Sequence, residues 1–463
     1  MRSSMSSAAS AVVMGLCVAM VSALMLMSVA RQREHARSMV CANNLKRIGL
    51  ALHNYASTYQ AFPFGSGGSS AGTEDETKGN ASRLSPFVGL LPFLEQTALW
   101  DQIANRHESP NGQAFPAMGP VPWFDETAYS PWAKRPAVYA CPLDRVAVGG
   151  SNDPTENVFD SVSSTYISYV TNYGDGSFVA GAPDEAFEKY PADRASKRGV
   201  FRRGGVYRFR DVLDGTTNTL FLSETRVGGK GATGISGIVK GVAGLSKKPS
   251  LCLTAATADD AQWWPEGRGS RWADGALPVT GFQAILPPNS PSCTSELGLL
   301  DGVVSASSHH AGGVMVLFCD GHIRFATNSI DTGDNDRPGV ALAAGYTQAG
   351  EKSPYGIWGA LGSRAAGETI AQTPHLTGPP SDEPEPTLDD APQEVSNQPL
   401  RVWQDTTGTK TIRAQFVRIE DRKTVVLIDA GGQVRRLPLN MLSSADIFHA
   451  VRTDVIARNR ESE

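Results

Sequence analysis

Twenty-three consecutive uncharged residues, Ala8 to Ala30 ("AASAVVMGLCVAMVSALMLMSVA"), constrain this chain more than any other feature. As a helix they reach about 34 Å, long enough to cross a bilayer. Ser28-Val29-Ala30 has the look of a signal-peptidase site, but a secretory apolar core usually runs only about 7–15 residues. The expectation is therefore a membrane anchor over 1–30, with a cleaved signal peptide as the alternative. Orientation is contested. Only Arg2 precedes the segment, whereas Arg31, Arg33, Arg37, Lys46 and Arg47 follow it. Positive charge favours keeping the following side in the cytoplasm, yet long domains translocate largely regardless of it.

The cysteines favour export. Cys17 lies within the apolar segment; Cys41, Cys141, Cys252, Cys293 and Cys319 follow it, widely spaced and with no CxxC. That spacing suits disulfides in an oxidising compartment better than a zinc site, and five cannot all pair. A formal charge of −5 leaves no basic footprint, so nucleic acid is not an expected partner.

Cys41, Leu45, Ile48, Leu52, Tyr55 and Tyr59 recur at spacings of three and four, which predicts one apolar helical stripe ending before Ala61-Phe62-Pro63. Beyond it, short apolar runs between turn signals predict strands and hairpins: "VYACPLD", "TYISYVTNYG", "GVYRFRDVLDGTTNTLFLSE" and "GVMVLFCDGHIRFAT". The stretch "PFLEQTALWDQIA" reads as weak helix.

Ser307 to Phe325 ("SSHHAGGVMVLFCDGHIRF") gathers three histidines, a cysteine and an aspartate. Asp320-Gly321 predicts a two-residue hairpin loop, setting Phe318 opposite Ile323 and Val316 opposite Phe325. His310 and Asp320 would then stand about 25–33 Å apart along one strand, too far to share an ion. The reading is a buried hairpin whose start is anchored by His310. Asp331, Asp334 and Asp336 resemble part of a calcium loop but read better as an acidic turn. Gly229 to Gly234 satisfies GxGxxG without a βαβ setting, so a flexible loop is expected. HExxH and the Walker A motif are absent.

Thr373 to Pro399 holds seven prolines and six acids and reads as a tether. After it, Ile412, Ala414 and Phe416 alternate, Val425 to Ile428 forms a buried-strand run, and "AGGQ" marks a hairpin turn. Ser443 or Ser444 could cap a short terminal helix. A small β-barrel is expected.

"CANNLKRIGLALHNYASTYQAFP", "CPLD", "DGTTNTLFLSE", "RGSRWADG", "PPNSPSC" and the H-x9-D-G of His310, Asp320 and Gly321 follow one another in order. Together they closely resemble the large family of uncharacterised bacterial surface proteins with a prepilin-type N-terminus, expanded in planctomycetes. The likeness covers about residues 8–361. It implies a pilin- or pseudopilin-like protein, with an N-terminal membrane helix running into an exported β-rich head and no established enzymatic activity. The chain departs from the prepilin pattern, with Ser7-Ala8-Ala9 where a glycine usually leads into Phe-Thr-Leu-Ile-Glu. Peptidase processing and filament entry therefore stay open. The tail resembles the SH3-like homology domain first described in a yeast endocytic adaptor, which implies a peptide-binding fold.

The expected fold is α+β: a long N-terminal membrane and amphipathic helix packed on a β-rich pilin-like head, then a small SH3-like β-barrel. The expected boundaries are anchor 1–30, helix and head 31–365, proline-rich acidic linker 366–397 and SH3-like domain 398–455. Cys252 and Cys293 bracket a Pro-, Gly- and Trp-rich loop and are the first expected disulfide. Cys41 with Cys141 is the second, leaving Cys319 free. The expected function is non-enzymatic, without cofactor or metal, with the membrane, other protein subunits or peptide ligands as partners and the head outside the cytoplasm. The alternative is an exported glycan-binding protein or enzyme with a site built from loops such as "QWWPEGRGSRWADG", where Trp263, Trp264 and Trp272 could stack on sugars.

Overall fold

The computed structural model describes residues 32, 34–110, 112–144, 165–177, 197–340, 351–368 and 375–378, and in the C-terminal region 401–404, 411–420, 424–429, 433–438 and 442. The chain divides into two compact units, 1–381 and 382–463. Among the described residues no helix is long and apolar enough to cross a membrane. The 8–30 segment lies outside them.

The first unit begins with a helix over 34–59. Next come a short hairpin of β1 (His107–Glu108) and β2 (Ala114–Phe115), then β3 (Tyr169–Asn172), β4 (Leu220–Glu224), β5 (Ile238–Val239) and β6 (Gly281–Phe282). β7 (Ser292–Thr294), β8 (Gly302–Val303), β9 (Gly313–Phe318), β10 (Ile323–Thr327) and β11 (Leu376–Thr377) complete it. One six-stranded sheet in the order β11-β10-β9-β4-β3-β6 forms the centre. Its neighbours run antiparallel except for the parallel β3–β6 pair. A three-stranded sheet, β5-β7-β8, flanks it.

The N-terminal helix covers one sheet face. Cys41, Leu45, Ile48 and Leu52 are buried and share a core with Tyr169, Leu222, Met315, Leu317 and Cys319, whereas Tyr59 is exposed. The helix comes close enough that a Cβ on Gly49 would lie 2.9 Å from Leu317 Cδ2. This contact explains a glycine inside a helix, where it costs about 1 kcal/mol relative to alanine. The other face buries Val170, Leu220, Val314, Val316, Phe318 and Ala326 beneath Trp358 and Leu361 of a short helix, Gly356–Gly362. A strand buried on both faces needs no alternation, which is why β9 reads as the unbroken run Val-Met-Val-Leu-Phe.

The hairpin differs from expectation by one residue. Ile323 pairs with Leu317 and Phe325 with Met315. The loop is Cys319-Asp320-Gly321, closed by Gly321 N–H to Phe318 O and by Phe318 N–H to His322 O, with Gly321 at φ +91°. This is the three-residue hairpin with glycine in the left-handed position. The slip turns β10 over. Ile323 and Phe325 join the helix-side core with Met315 and Leu317, not the Val314–Phe318 face.

Three other expectations change. "VYACPLD" forms a 3-10 turn, Ala137–Tyr139, rather than a strand. The head continues past 365: Ala366 and Gly367 N–H groups donate to Asp214, and Leu376–Thr377 adds β11 to the sheet edge, where Leu376 packs on the Val314–Val316 core. Leu376 packing and the hydrogen bonds of His375 with Thr327 and Ser329 hold β11 at that edge.

In the second unit, β12 (Arg401–Gln404), β13 (Thr411–Glu420), β14 (Thr424–Asp429) and β15 (Val434–Pro438) form an antiparallel meander. Among the described residues it is an open sheet, not a closed barrel. Trp403, Ala414, Phe416, Val425, Leu427 and Leu442 make its core, with Trp403 stacked on Phe416. Ser443 and Ser444 lie outside the described residues.

Candidate functional site

The segment before β9 holds its own backbone. Ser308 Oγ accepts the His310 N–H at 3.0 Å and donates to Gly313 O at 2.7 Å. That turn aims the His310 ring between the N-terminal helix and the end of β4. His310 Nε2 meets Glu224 Oε1 at 3.1 Å and His310 Nδ1 meets Ser38 Oγ at 3.1 Å. Glu224 is the last residue of β4, 1% exposed, and its other oxygen accepts the Met315 N–H of β9 at 2.9 Å. Cys41 and Cys141 form a disulfide beside them, and the side-chain donor atoms of Cys41, Cys141, Glu224 and His310 all lie within 4.8 Å of one another. Four motifs spread over 270 residues of sequence thus meet at one buried point.

Two chemistries suggest themselves, and the donor set opposes both. Ser38–His310–Glu224 has the members of a nucleophile–base–acid relay, but the Ser38 hydroxyl sits within the helix and donates to Glu34 O at 3.0 Å. It therefore accepts from His310 rather than giving up a proton to it. Burial pulls the His310 pKa down, but Glu224, by charge and by hydrogen bond, and then Glu34 outweigh this and hold it above its usual value. With both ring nitrogens engaged, Nδ1 by Ser38 and Nε2 by Glu224, the imidazole has no free nitrogen to act as a general base. For a metal the set is also spent, because the sulfurs are bonded to each other and both Glu224 oxygens are engaged. What remains is a clamp: the Cys41–Cys141 bond and the Ser38–His310 hydrogen bond tie the helix to the head, and the buried His310–Glu224 ion pair fixes that histidine to β4.

The neighbouring His309 behaves oppositely. Burial, with the positive charges of Arg226 and His310, pushes it down to about 4. Cys319, the free thiol, is held protonated by burial and then by Asp320, which makes it unreactive.

Other expected site residues separate. Asp320 caps the hairpin loop, accepting from the His322 N–H at 3.0 Å and contacting His322 Nδ1 at 2.9 Å. Asp331 accepts from Gly333 and Ile357 N–H groups, Asp334 from Asp336 N–H, and Asp336 faces Lys248 and Ser250. The three aspartates thus serve separate turns and contacts. Cys252 and Cys293 form the second disulfide, in the small core of the three-stranded sheet.

A second feature is a surface cleft. Two adjoining hollows, about 330 Å³ and 270 Å³, share Trp123, Glu266, Ser270 and Arg271. Arg83 donates bidentately to Asp274, and Arg271 bridges Glu266 and lies 3.6 Å from Asp274. Wholly buried Arg268 pins the loop beneath, donating to the carbonyls of Pro278, Gly281 and Ser305; burial lowers its pKa to about 9. Of the tryptophans expected there, Trp264 lines the larger hollow, Trp272 is buried in the core with an edge on the smaller hollow, and Trp263 packs on the three-stranded sheet. Trp123 and Arg83 escaped the sequence reading because they join the loop only through packing, whereas Ser270 lies within the singled-out "QWWPEGRGSRWADG". Glu224 carried one faint signal, an acid at the end of the apolar run Leu220–Leu222.

The model of one protein family, described as "Protein of unknown function (DUF1559)", matches residues 30–333. The chain belongs to the DUF1559 family. The matched span takes in the whole clamp and both walls of the cleft, so DUF1559 comprises the helix and most of the head. No curated protein matches the chain, and no solved structure does.

Proposed function

We propose that this DUF1559 protein is a non-enzymatic, membrane-anchored surface protein of pilin- or pseudopilin-like build. Its head lies outside the cytoplasm, and its C-terminal unit is an SH3-like module for protein subunits or peptide ligands. The observation that carries this reading is the clamp. The helix over 34–59, which follows the 8–30 apolar segment in the sequence, is fixed to the head by Cys41–Cys141 and by the Ser38–His310–Glu224 chain. An anchor passes force to its head through that junction, and a disulfide there suits an oxidising compartment. The antiparallel meander β12–β15 and its Trp403–Phe416 core support the reading of the C-terminal unit as a small β module. Neither nucleic acid nor a cofactor is part of the proposal.

The experiment is thiol labelling of the native protein taken directly from cells. The reading expects Cys41 and Cys141 to be unreactive before reduction and labelled after it. Free thiols at both positions in freshly isolated protein would place the head in a reducing compartment and end the proposal.

A further inference from the structure

We infer that the cleft between Trp123 and Trp264 is a binding site for a short neutral oligosaccharide. Four observations carry this. Both indole edges are already engaged, Trp123 Nε1 with Glu76 at 2.8 Å and Trp264 Nε1 with Thr294 at 3.0 Å. The two partly buried rings therefore present ring surface rather than hydrogen-bond donors to the cleft, with the Arg83 guanidinium 4.8 Å over one face of Trp123.

Charge argues against an anionic ligand. In the larger hollow Arg83 and Arg271 face Asp274 and Glu266, two cations against two anions, already paired. The smaller hollow adds Asp125 and Glu126, which repels phosphate and carboxylate. Paired ions still present lone pairs and N–H groups to hydroxyls, which suits a polyol at little desolvation cost.

Ser270 is the ligand-pointing group. It is 4% exposed, lines both hollows, and among the described residues its Oγ has no hydrogen-bond partner. A buried hydroxyl left unpaired is destabilising, a cost that a ligand hydroxyl would remove. Size agrees, since the larger hollow alone falls in the range of small-molecule sites. The site stands independently of the anchor proposal.

The test is calorimetric titration of the full-length protein with cellotriose, chitotriose, maltotriose and xylotriose, alongside Trp123→Ala and Ser270→Ala. At least one trisaccharide should give a saturable isotherm. Trp123→Ala should weaken it by about tenfold or more, the size of a lost aromatic anchor. Ser270→Ala should weaken it while leaving the melting temperature of the free protein unchanged or raised, because the hydroxyl is unpaired there. If Trp123→Ala fails to fold, Ser270→Ala decides alone. Heats equal to buffer for all four sugars, or wild-type affinity in either folded variant, would overturn the assignment.

Discussion

His309 and His310 are adjacent yet titrate in opposite directions, and each sets one limb of the pH–stability curve. His310 is raised by Glu224 against the pull of burial. Its contribution is complete below the unfolded histidine pKa of about 6.5 and is lost as pH rises through the higher folded value. His309, at about 4 in the folded protein, destabilises as pH falls from about 6.5 toward 4, because the unfolded chain binds the proton first. Denaturant melts across pH 4–9 should therefore peak near neutrality. Removing His310 (His310→Gln) should flatten the alkaline limb and cost roughly 3–5 kcal/mol below it, since Glu224 is left buried without its partner. An unchanged alkaline limb would refute the ion pair. In the sequence His310 was legible as an anchor for the strand; its partners were not, because pairings with Ser38, 272 residues away, and Glu224, 86 away, come only from the fold.

Among the elements, the N-terminal helix and the β9–β10 hairpin show what sequence periodicity can and cannot supply. The 3–4 spacing located the helix and its buried stripe, and the apolar run located β9. The hairpin register was missed by one residue because Asp-Gly serves both two- and three-residue loops; Gly321 at φ +91° and the Asp320 cap select the longer one. Gly321→Ala should cost about 1–2 kcal/mol from backbone strain, read as a lowered urea midpoint, and an unaffected midpoint would contradict the loop geometry. The Cys41–Cys141 bridge closes 100 residues. Replacing both cysteines by serine should lower stability by roughly 3–5 kcal/mol on the loop-entropy account. Denaturation of the double variant at the wild-type midpoint would remove the clamp from the argument.

For the whole molecule, composition separated the two units, whose division falls at 381/382 within the proline-rich acidic stretch. Its exact edge was not legible, because β11 takes two residues of that stretch into the head sheet. The second unit has its own core, in which Phe416 is 5% exposed; Val426, 2% exposed, is buried outside that cluster. A fragment over 398–463 should fold alone with modest stability, and truncating Phe416 to alanine should cost about 3–5 kcal/mol and unfold it. A fragment without a cooperative thermal transition would contradict an independent module.

The central claim, an anchored protein with an external head, is tested most directly by treating intact cells or spheroplasts with protease and probing the washed membranes. The account predicts a protein that sediments with membranes, resists carbonate extraction and loses its head epitope to added protease while a cytoplasmic marker survives. A head epitope protected until lysis, or a protein recovered wholly in the cytosolic fraction, would contradict it.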